Sequence, residues 1–331
     1  MVLNSLQASD LRHLLQEVTP ELDQVDHWLE DQLKADRPWM APLLDHAARF
    51  RGKRLRAAQV LLVGKAAGGL QEDHLVIAGI IELIHAATLV HDDLLDEAVQ
   101  RRGLDCVHVE WGSHASVLLG DWIYARAFRR STELKDPRCS QVLAAATERI
   151  CAGEIHQNLT RRQFALDQQA YLDQIDGKTG ALYEAGGRLA VAYAGGEEAQ
   201  QEGAARHGLL AGRAFQMMDD LLDLIGEENR TRKSLGTDWA RGKMTLPLIM
   251  LRDALAPEAR GRLQALFGSG ADRSVLLEGE FAEPLQAVLE TCRQQIQSCL
   301  QQANQALEVL PPSRYRDALR ELTAFLGARQ Y

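Results

Sequence analysis

The sequence predicts an all-α protein, and three observations carry that prediction. Apolar residues recur at three- and four-residue spacing, with Ala and Leu abundant, over 72–100, 113–135, 139–165, 170–195, 199–225, 244–256 and 283–309. That is the period of helices with one buried face. Period-two alternation of β-branched residues, the strand signature, is almost absent. The pentapeptide Asp-Asp-Leu-Leu-Asp occurs twice, at 92–96 and at 219–223, each time at the C-terminal end of a long helical pattern. The simplest architecture is a single-domain helical bundle over 1–331, with a cavity between the two aspartate-bearing helices.

Turn chemistry separates the helical segments: Arg102-Gly103, Asp136-Pro137, Gly195-Gly196, Gly226–Gly236 and Gly268-Ser-Gly270. Pro247 falls just inside a helix start, where its missing N–H costs little. There is no low-complexity tract and no repeat of the solenoid type. Trp111, Trp122 and Trp239 read as packing residues, and His108 and His114 lack a spacing that suggests zinc. Residues 257–331 predict further helices without a motif that carries chemistry.

With 331 residues, 46% of them hydrophobic, the chain can bury a substantial core. Apolar stretches such as Val76–Ile81 are far shorter than the roughly 18–20 residues of a membrane span, so no transmembrane segment is expected. Nor does the N-terminus pair a basic region with an apolar one, as a secretory signal would. The five cysteines, Cys106, Cys139, Cys151, Cys292 and Cys299, have no CxxC spacing and read as reduced thiols of a cytoplasmic protein. A net charge of -9 argues against nucleic acid as a partner. An acidic chain can still bind anions when metal ions bridge the two.

Such a bridge is what the pentapeptides predict. Helical residues four apart lie one above the other, so Asp92 shares a face with Asp96, and Asp219 with Asp223. Like charges at that spacing repel, and the helix dipole at a C-terminus disfavours anions further. A solitary DDxxD fits a solvated helix end, but the same violation twice marks a site where something else compensates. Magnesium does so naturally: it takes oxygen ligands, binds through one or two carboxylates and completes its shell with water and substrate phosphates. The metal candidates are Asp92, Asp93, Asp96, Asp219, Asp220 and Asp223.

Basic residues accompany the acids. Arg101 and Arg102 follow the first cluster by about two turns, and the arginine fork suits phosphate oxygens. Other short basic runs are Gly52-Lys-Arg-Leu-Arg56, Gly177-Lys178-Thr179, and Lys233-Ser-Leu-Gly-Thr-Asp238 with Arg241-Gly-Lys243. Together with Glu82–Asp96, Ser116–Asp121, Gly153-Glu154 with Gln157, Ala214–Asp223 and Gly242–Leu248, they give the chain a resemblance over 52–248 to the trans-isoprenyl diphosphate synthase family, and most to its all-trans polyprenyl diphosphate synthases. The pieces run in family order, and their combination is specific although no single piece is.

The resemblance implies an all-helical fold of the isoprenoid synthase type, three magnesium ions per active site and a homodimer. Its substrates would be isopentenyl diphosphate and an allylic diphosphate. Asp92, Asp96 and Asp219 would be the principal metal ligands, with Asp93 and Asp223 supporting them. Arg101, Lys178 and Lys233, with Lys243 nearby, would hold the allylic diphosphate. Lys53, Arg56, His85 and Arg102 would hold isopentenyl diphosphate, and Thr179 and Gln216 would face the reacting carbons. Ionisation of the allylic diphosphate, attack by the isopentenyl double bond and loss of a proton would follow, under a closing loop near 226–243. The departures are Arg51 where the family often has glycine, Ala57 where it often has proline, an unusual loop at 226–235, and a C-terminus whose only base is Arg329.

Product length is read along the first aspartate helix. Ala87 and Thr88, about 6–8 Å below Asp92 at 1.5 Å per residue, are small. A bulky aromatic there stops elongation early in the family. Ile84 and Ile81, about 12 and 16 Å down, would form a floor or a wall. The expectation is a product longer than fifteen carbons, with a short-chain synthase as alternative. A terpene cyclase would have no use for Lys53 and Arg56. A silent regulatory subunit would have lost aspartates or the Arg101 and Lys178 contacts, and a plain helical scaffold would not respond to magnesium with diphosphate.

Overall fold

The computed structural model describes residues 11, 13–49, 52–101, 103–226 and 235–327. Arg102, Lys233, Arg51 and Arg329, named above, lie outside the described residues. In chain order the helices are α1 (Thr19–Gln32), α2 (Ala41–Ala48), α3 (Leu55–Ala66), α4 (Glu72–Leu95), α5 (Val107–Trp111), α6 (Ser113–Thr132), α7 (Arg138–Leu159), α8 (Gln168–Ile175), α9 (Ala181–Tyr193), α10 (Glu198–Ile225), α11 (Thr237–Ala240), α12 (Leu246–Ala254), α13 (Pro257–Leu266), α14 (Ser274–Leu277), α15 (Ala282–Ala306) and α16 (Arg314–Gly327). The fold is all-α. A two-stranded hairpin, β1 (Gln100–Arg101) with β2 (Leu104–Asp105), stands where the apolar pattern had extended the helix to residue 100.

The chain forms two compact units. The first comprises Met1–Thr147, Leu182–Ala205 and Leu307–Glu321. Its centre is α4, packed against α1, α3 and α6. Ile77, Ala78, Ile80, Ile81, Leu83 and Ile84 on α4 are fully buried, as are Val60–Val63 on α3. By length and composition α4 could cross a membrane, but 61% of its most apolar window is buried inside the protein, as in a core helix. Its start is set by a capping box between Gln71 and His74. The Gln71 N–H donates to His74 Nδ1, so the buried ring carries its hydrogen on Nε2 and donates it to Ala190 O at 2.9 Å. Two glycines let neighbours approach. The Trp28 ring occupies the space a Cβ on Gly79 would need, 2.3 Å away, and the His91 ring does the same at Gly120, 2.1 Å away.

The second unit comprises Glu148–Ala181, Arg206–Ala306 and Leu322–Tyr331. Its core joins Tyr171 and Ile175 of α8, Met217 and Leu221 of α10, Leu246–Leu251 of α12 and the buried face of α15. Trp239 is fully buried there and donates from Nε1 to Ala271 O at 2.9 Å. Both aspartate pentapeptides sit at helix C-termini, as their sequence context predicts: Asp96 caps α4, and Asp223 lies in the last turn of α10.

Candidate active site

In the first unit, α4 ends with Glu97 in the left-handed conformation, φ 47°. Glu97 N–H donates to Leu94 O at 3.1 Å and Ala98 N–H to Asp93 O at 2.9 Å, the pattern of a Schellman closure made without glycine. The chain then turns into the hairpin and brings Arg101 back onto the helix end. Arg101 Nε donates to both oxygens of Asp93 at 2.8 Å, and Nη2 donates to Oδ1 at 2.6 Å. Asp93 is buried, whereas Asp92 and Asp96 are half-exposed. Burial alone would lower the Arg101 pKa. The Asp93 hydrogen bonds and charge, with Asp92 behind them, overcome this and raise it, so the guanidinium is a fixed cation. The Cys106 thiol also bonds to Asp93, and its pKa is pushed up to about 12, first by burial and then by that carboxylate. Asp93 is therefore engaged in orienting Arg101.

The Gly52–Arg56 run lies against the same helix. Arg54 is left-handed, φ 52°, and stands at the N-terminus of α3. Its Nε donates to Asp26 Oδ1 at 2.6 Å and its Nη1 to Glu82 Oε2 at 3.3 Å. The other Glu82 oxygen accepts from Ala57 N–H at 3.1 Å, capping α3. These contacts fix the turn that presents exposed Lys53 and half-buried Arg56. Arg56 lies over the Tyr183 ring, 4.6 Å from its centroid, and its buried Nε has no hydrogen-bond partner among the described residues. His85 is one turn beyond Glu82 on the same face of α4. Sequence reasoning missed Arg54, Glu82 and Asp26 as the groups that set this turn, because the partners are far apart in the chain and carry no local signal.

Below this site Ala87, Ile84 and Ile81 are fully buried, and Thr88 is half-buried with its hydroxyl donating to His85 O at 2.8 Å. Ile81 and Val60 press on Gly186, where a Cβ would lie 3.2 and 3.1 Å from their methyl groups. Ile81 thus serves as wall of the α3–α4–α9 packing.

In the second unit, α8 passes into α9 through a π turn, Asp176–Gly180, closed by Ala181 N–H donating to Asp176 O. Such bulges insert one residue and recur at functional sites. This one carries Lys178 and Thr179. It is held by Arg213, whose Nε donates to Asp176 Oδ1 at 2.8 Å, and by glycine against glycine with α7. A Cβ on Gly153 would lie 2.7 Å from Lys178 N, and one on Gly177 2.7 Å from Arg149 O. Lys178 Nζ lies 2.5 Å from Glu154 Oε2 and donates to Gln157 Oε1 at 3.2 Å.

Four carboxylates gather around the end of α10. Asp219 is half-exposed. Asp220 is buried and accepts from Tyr171 Oη at 2.7 Å and from Gln216 Nε2 at 2.8 Å, while Gln216 Oε1 accepts from Thr179 Oγ1 at 2.9 Å. Asp223 accepts from Thr237 Oγ1 at 3.2 Å and from Asp238 N–H at 3.0 Å, capping α11. Lys243 Nζ stands 3.4 Å from Asp238. Arg273, from a region without a recognisable motif, closes α10: Nη1 donates to Leu224 O at 2.8 Å and Asp223 O at 3.3 Å, and Nη2 to Gly226 O at 2.9 Å. Burial, then the charge of Asp238, raises the Asp220 pKa to about 7 and the Asp223 pKa to about 6.

Burial is the larger cause of both shifts, with the charge of Asp238 second. The half-exposed carboxylates of Asp219 and Asp223 are oxygen donors of the kind magnesium takes. Among the described residues no three His, Cys, Asp or Glu side chains form a ready-made metal cage. The shifts also fix a pH dependence. Between 3.8 and about 7 the folded chain keeps protons on Asp220 and Asp223 that the unfolded chain releases. Their contribution to stability is therefore lost as pH rises through that window. Thermal melts in metal-free buffer should show Asp220→Asn losing less stability than the parent from pH 4 to pH 7. Parallel profiles would contradict the assignment.

Residues 37–278 match the polyprenyl synthetase family. The chain is 32% identical over 313 residues to an octaprenyl diphosphate synthase of Haemophilus influenzae, covering 94% of this chain and 95% of that one. Its structure resembles that of a Caulobacter crescentus polyprenyl synthase complexed with calcium and isoprenyl diphosphate, with TM-score 0.88, 29% identity and coverage of 97% and 98%. It also resembles a decaprenyl diphosphate synthase from Rhodobacter capsulatus, with TM-score 0.86, 28% identity and coverage of 96% and 98%. The match spans the motif-bearing region and nearly the full length of each relative, and the chain belongs to the polyprenyl synthetase family.

Proposed function

We infer that the protein is a prenyltransferase that condenses an allylic diphosphate with isopentenyl diphosphate and repeats the step to make all-trans products longer than fifteen carbons. The observation that carries this reading is the pair of helices ending in Asp-Asp-Leu-Leu-Asp, each with cationic side chains fixed beside it. The long-chain synthases among its relatives support the product class.

Asp92, Asp96 and Asp219 would hold magnesium, three ions per site, with Asp223 adding a carboxylate. Bound magnesium neutralises charge that grows on the departing diphosphate. Arg101, oriented by Asp93, and Lys178, resting on Glu154 and Gln157, bind the phosphate oxygens of that leaving group. Lys243 and Lys233 complete the cationic lining. Lys53, Arg56, His85 and Arg102 hold the second diphosphate, the turn being set by Arg54 and Glu82. Thr179 and Gln216 face the allylic carbon and stabilise its positive charge through oxygen dipoles. Asp93 and Asp220 act by hydrogen bonding to their neighbours, which narrows the metal set to the half-exposed aspartates.

Five exposed apolar side chains of the first unit, Leu95, Val99, Val109, Val117 and Leu118, support assembly of two copies. Sedimentation of purified protein should give the mass of a dimer, and a monomer across micromolar concentrations would refute it. All five cysteines are free, which supports a cytoplasmic protein, and cell fractionation would decide that point.

Purified enzyme with magnesium, isopentenyl diphosphate and primers of ten, fifteen or twenty carbons should release products beyond fifteen carbons. Thr88→Phe should shorten them. Termination at fifteen carbons under excess isopentenyl diphosphate would overturn the product assignment. Asp92→Ala or Asp219→Ala should lower turnover by roughly a thousandfold or more with the fold retained by circular dichroism. Near-normal turnover in either would remove the metal role.

A further inference from the structure

We propose that Tyr171 is a positioning residue for the condensation, fixing through Asp220 and Gln216 the direction in which the Thr179 hydroxyl points. The inference rests on the reading above, in which Thr179 and Gln216 face the reacting carbons.

Tyr171 lies in α8, seven residues before Lys178, and is buried in the second unit's core with only 2% of its surface accessible. Its hydroxyl donates to Asp220 Oδ2 at 2.7 Å. The other oxygen of Asp220 accepts from Gln216 Nε2 at 2.8 Å, and Gln216 Oε1 accepts from Thr179 Oγ1 at 2.9 Å. With Asp220 ionised, every donor in this chain points one way. An amide has one donor end and one acceptor end. Once Asp220 takes the NH₂ end of Gln216, only the carbonyl end is left for Thr179, and the Thr179 hydrogen is committed to it. What Thr179 then turns to the substrate is the lone-pair side of its oxygen, which suits an electron-poor allylic carbon. A free hydroxyl would rotate and spend part of its time presenting hydrogen instead.

Tyr171 supplies the first constraint. Without its hydroxyl, Asp220 Oδ2 has lost its partner in a buried site, and the carboxyl can rotate or draw Gln216 to either oxygen. A tyrosine that merely filled the core would affect stability and nothing else, since phenylalanine occupies the same space.

Two variants and one cycle test this. Tyr171→Phe should lower kcat about tenfold, the worth of one aligned hydrogen bond, with KM for both diphosphates and the magnesium half-saturation within about twofold of the parent. In a Thr179→Ala background the same substitution should cost little more, because the group it orients is gone. Asp220→Asn keeps shape and the Tyr171 bond but offers an NH₂ to Gln216. That reverses the amide and turns the Thr179 hydrogen outward, so kcat should fall further than in Tyr171→Phe, and this variant serves if Tyr171→Phe does not fold. Independent, multiplicative losses for Tyr171→Phe and Thr179→Ala would overturn the proposal. So would a manyfold shift in magnesium half-saturation for Asp220→Asn, which would make Asp220 a metal ligand. Failure of the parent enzyme to condense isopentenyl diphosphate with any primer would instead refute the functional reading itself.

Discussion

Helices α4 and α10 each carry their aspartates where the helix dipole is negative and the last carbonyls lack helical partners. Placing anions there costs about 0.3–1 kcal/mol apiece at an exposed site, and the two ends are stabilised by different means. On α4 the backbone folds over itself through Glu97, and Arg101 returns from a hairpin to lie on Asp93. On α10 the carbonyls of Asp223, Leu224 and Gly226 are taken by one guanidinium, that of Arg273, and Gly236 N–H adds to the closure at Asp223 O, 2.8 Å away. Gly236 has φ 74°, and a Cβ there would lie 2.8 Å from the Arg273 side chain.

The second aspartates of the two pentapeptides play the same part because helical geometry turns them the same way, while the fifth differ: Asp223 caps α11 and Asp96 ends α4. Successive residues are about 100° apart around the axis, so the first and fifth aspartates share a face and the second points elsewhere. In both copies the second aspartate is turned inward and consumed: Asp93 by Arg101 and the Cys106 thiol, Asp220 by Tyr171 and Gln216. The first aspartates, Asp92 and Asp219, remain half-exposed. A buried carboxylate needs hydrogen-bond donors, and each of these two turns that need into orientation of a neighbouring side chain.

The fold class and the placing of both pentapeptides at helix ends were legible because they rest on periodicity and on local violations of helix rules. The segments read as helical from residue 72 onward match helices to within a few residues at most ends, but α1, α2 and α3 were not read from the sequence. What was not legible depends on distant partners. Nothing in the local sequence around Arg273 marks it as the cap of α10, about fifty residues earlier in the chain. The π turn at Asp176–Gly180 lies inside the segment 170–195 that periodicity reads as one helix, and neither Gly177 nor Gly180 within it singles out a π turn. The hairpin at 100–105 is too short to show alternation, and Arg54 looked like one more base in a basic run until Asp26 and Glu82 enclosed it.

A chain of net charge -9 that binds two diphosphates must keep its cations from being neutralised by its own acids. The pairs of Arg101, Lys178 and Lys243 differ in what they leave available. A guanidinium has five N–H groups in a fixed fork. Asp93 occupies only the Nε and Nη2 side of Arg101, so the Nη1 side can meet phosphate without breaking the pair. Lysine has three donors around a point charge, and Lys178 already directs its ammonium at Glu154 and Gln157. Lys243 is held at longer range by Asp238, at 3.4 Å. Arg101 is therefore held in place by Asp93 with one side of its fork turned away from the pair, whereas under the function proposed above Lys178 would have to exchange Glu154 for phosphate. Pairing Lys178 with a carboxylate in the empty site avoids a buried lone ammonium. Under the proposed function, binding at Lys178 would require an anion able to displace Glu154, as a diphosphate would be.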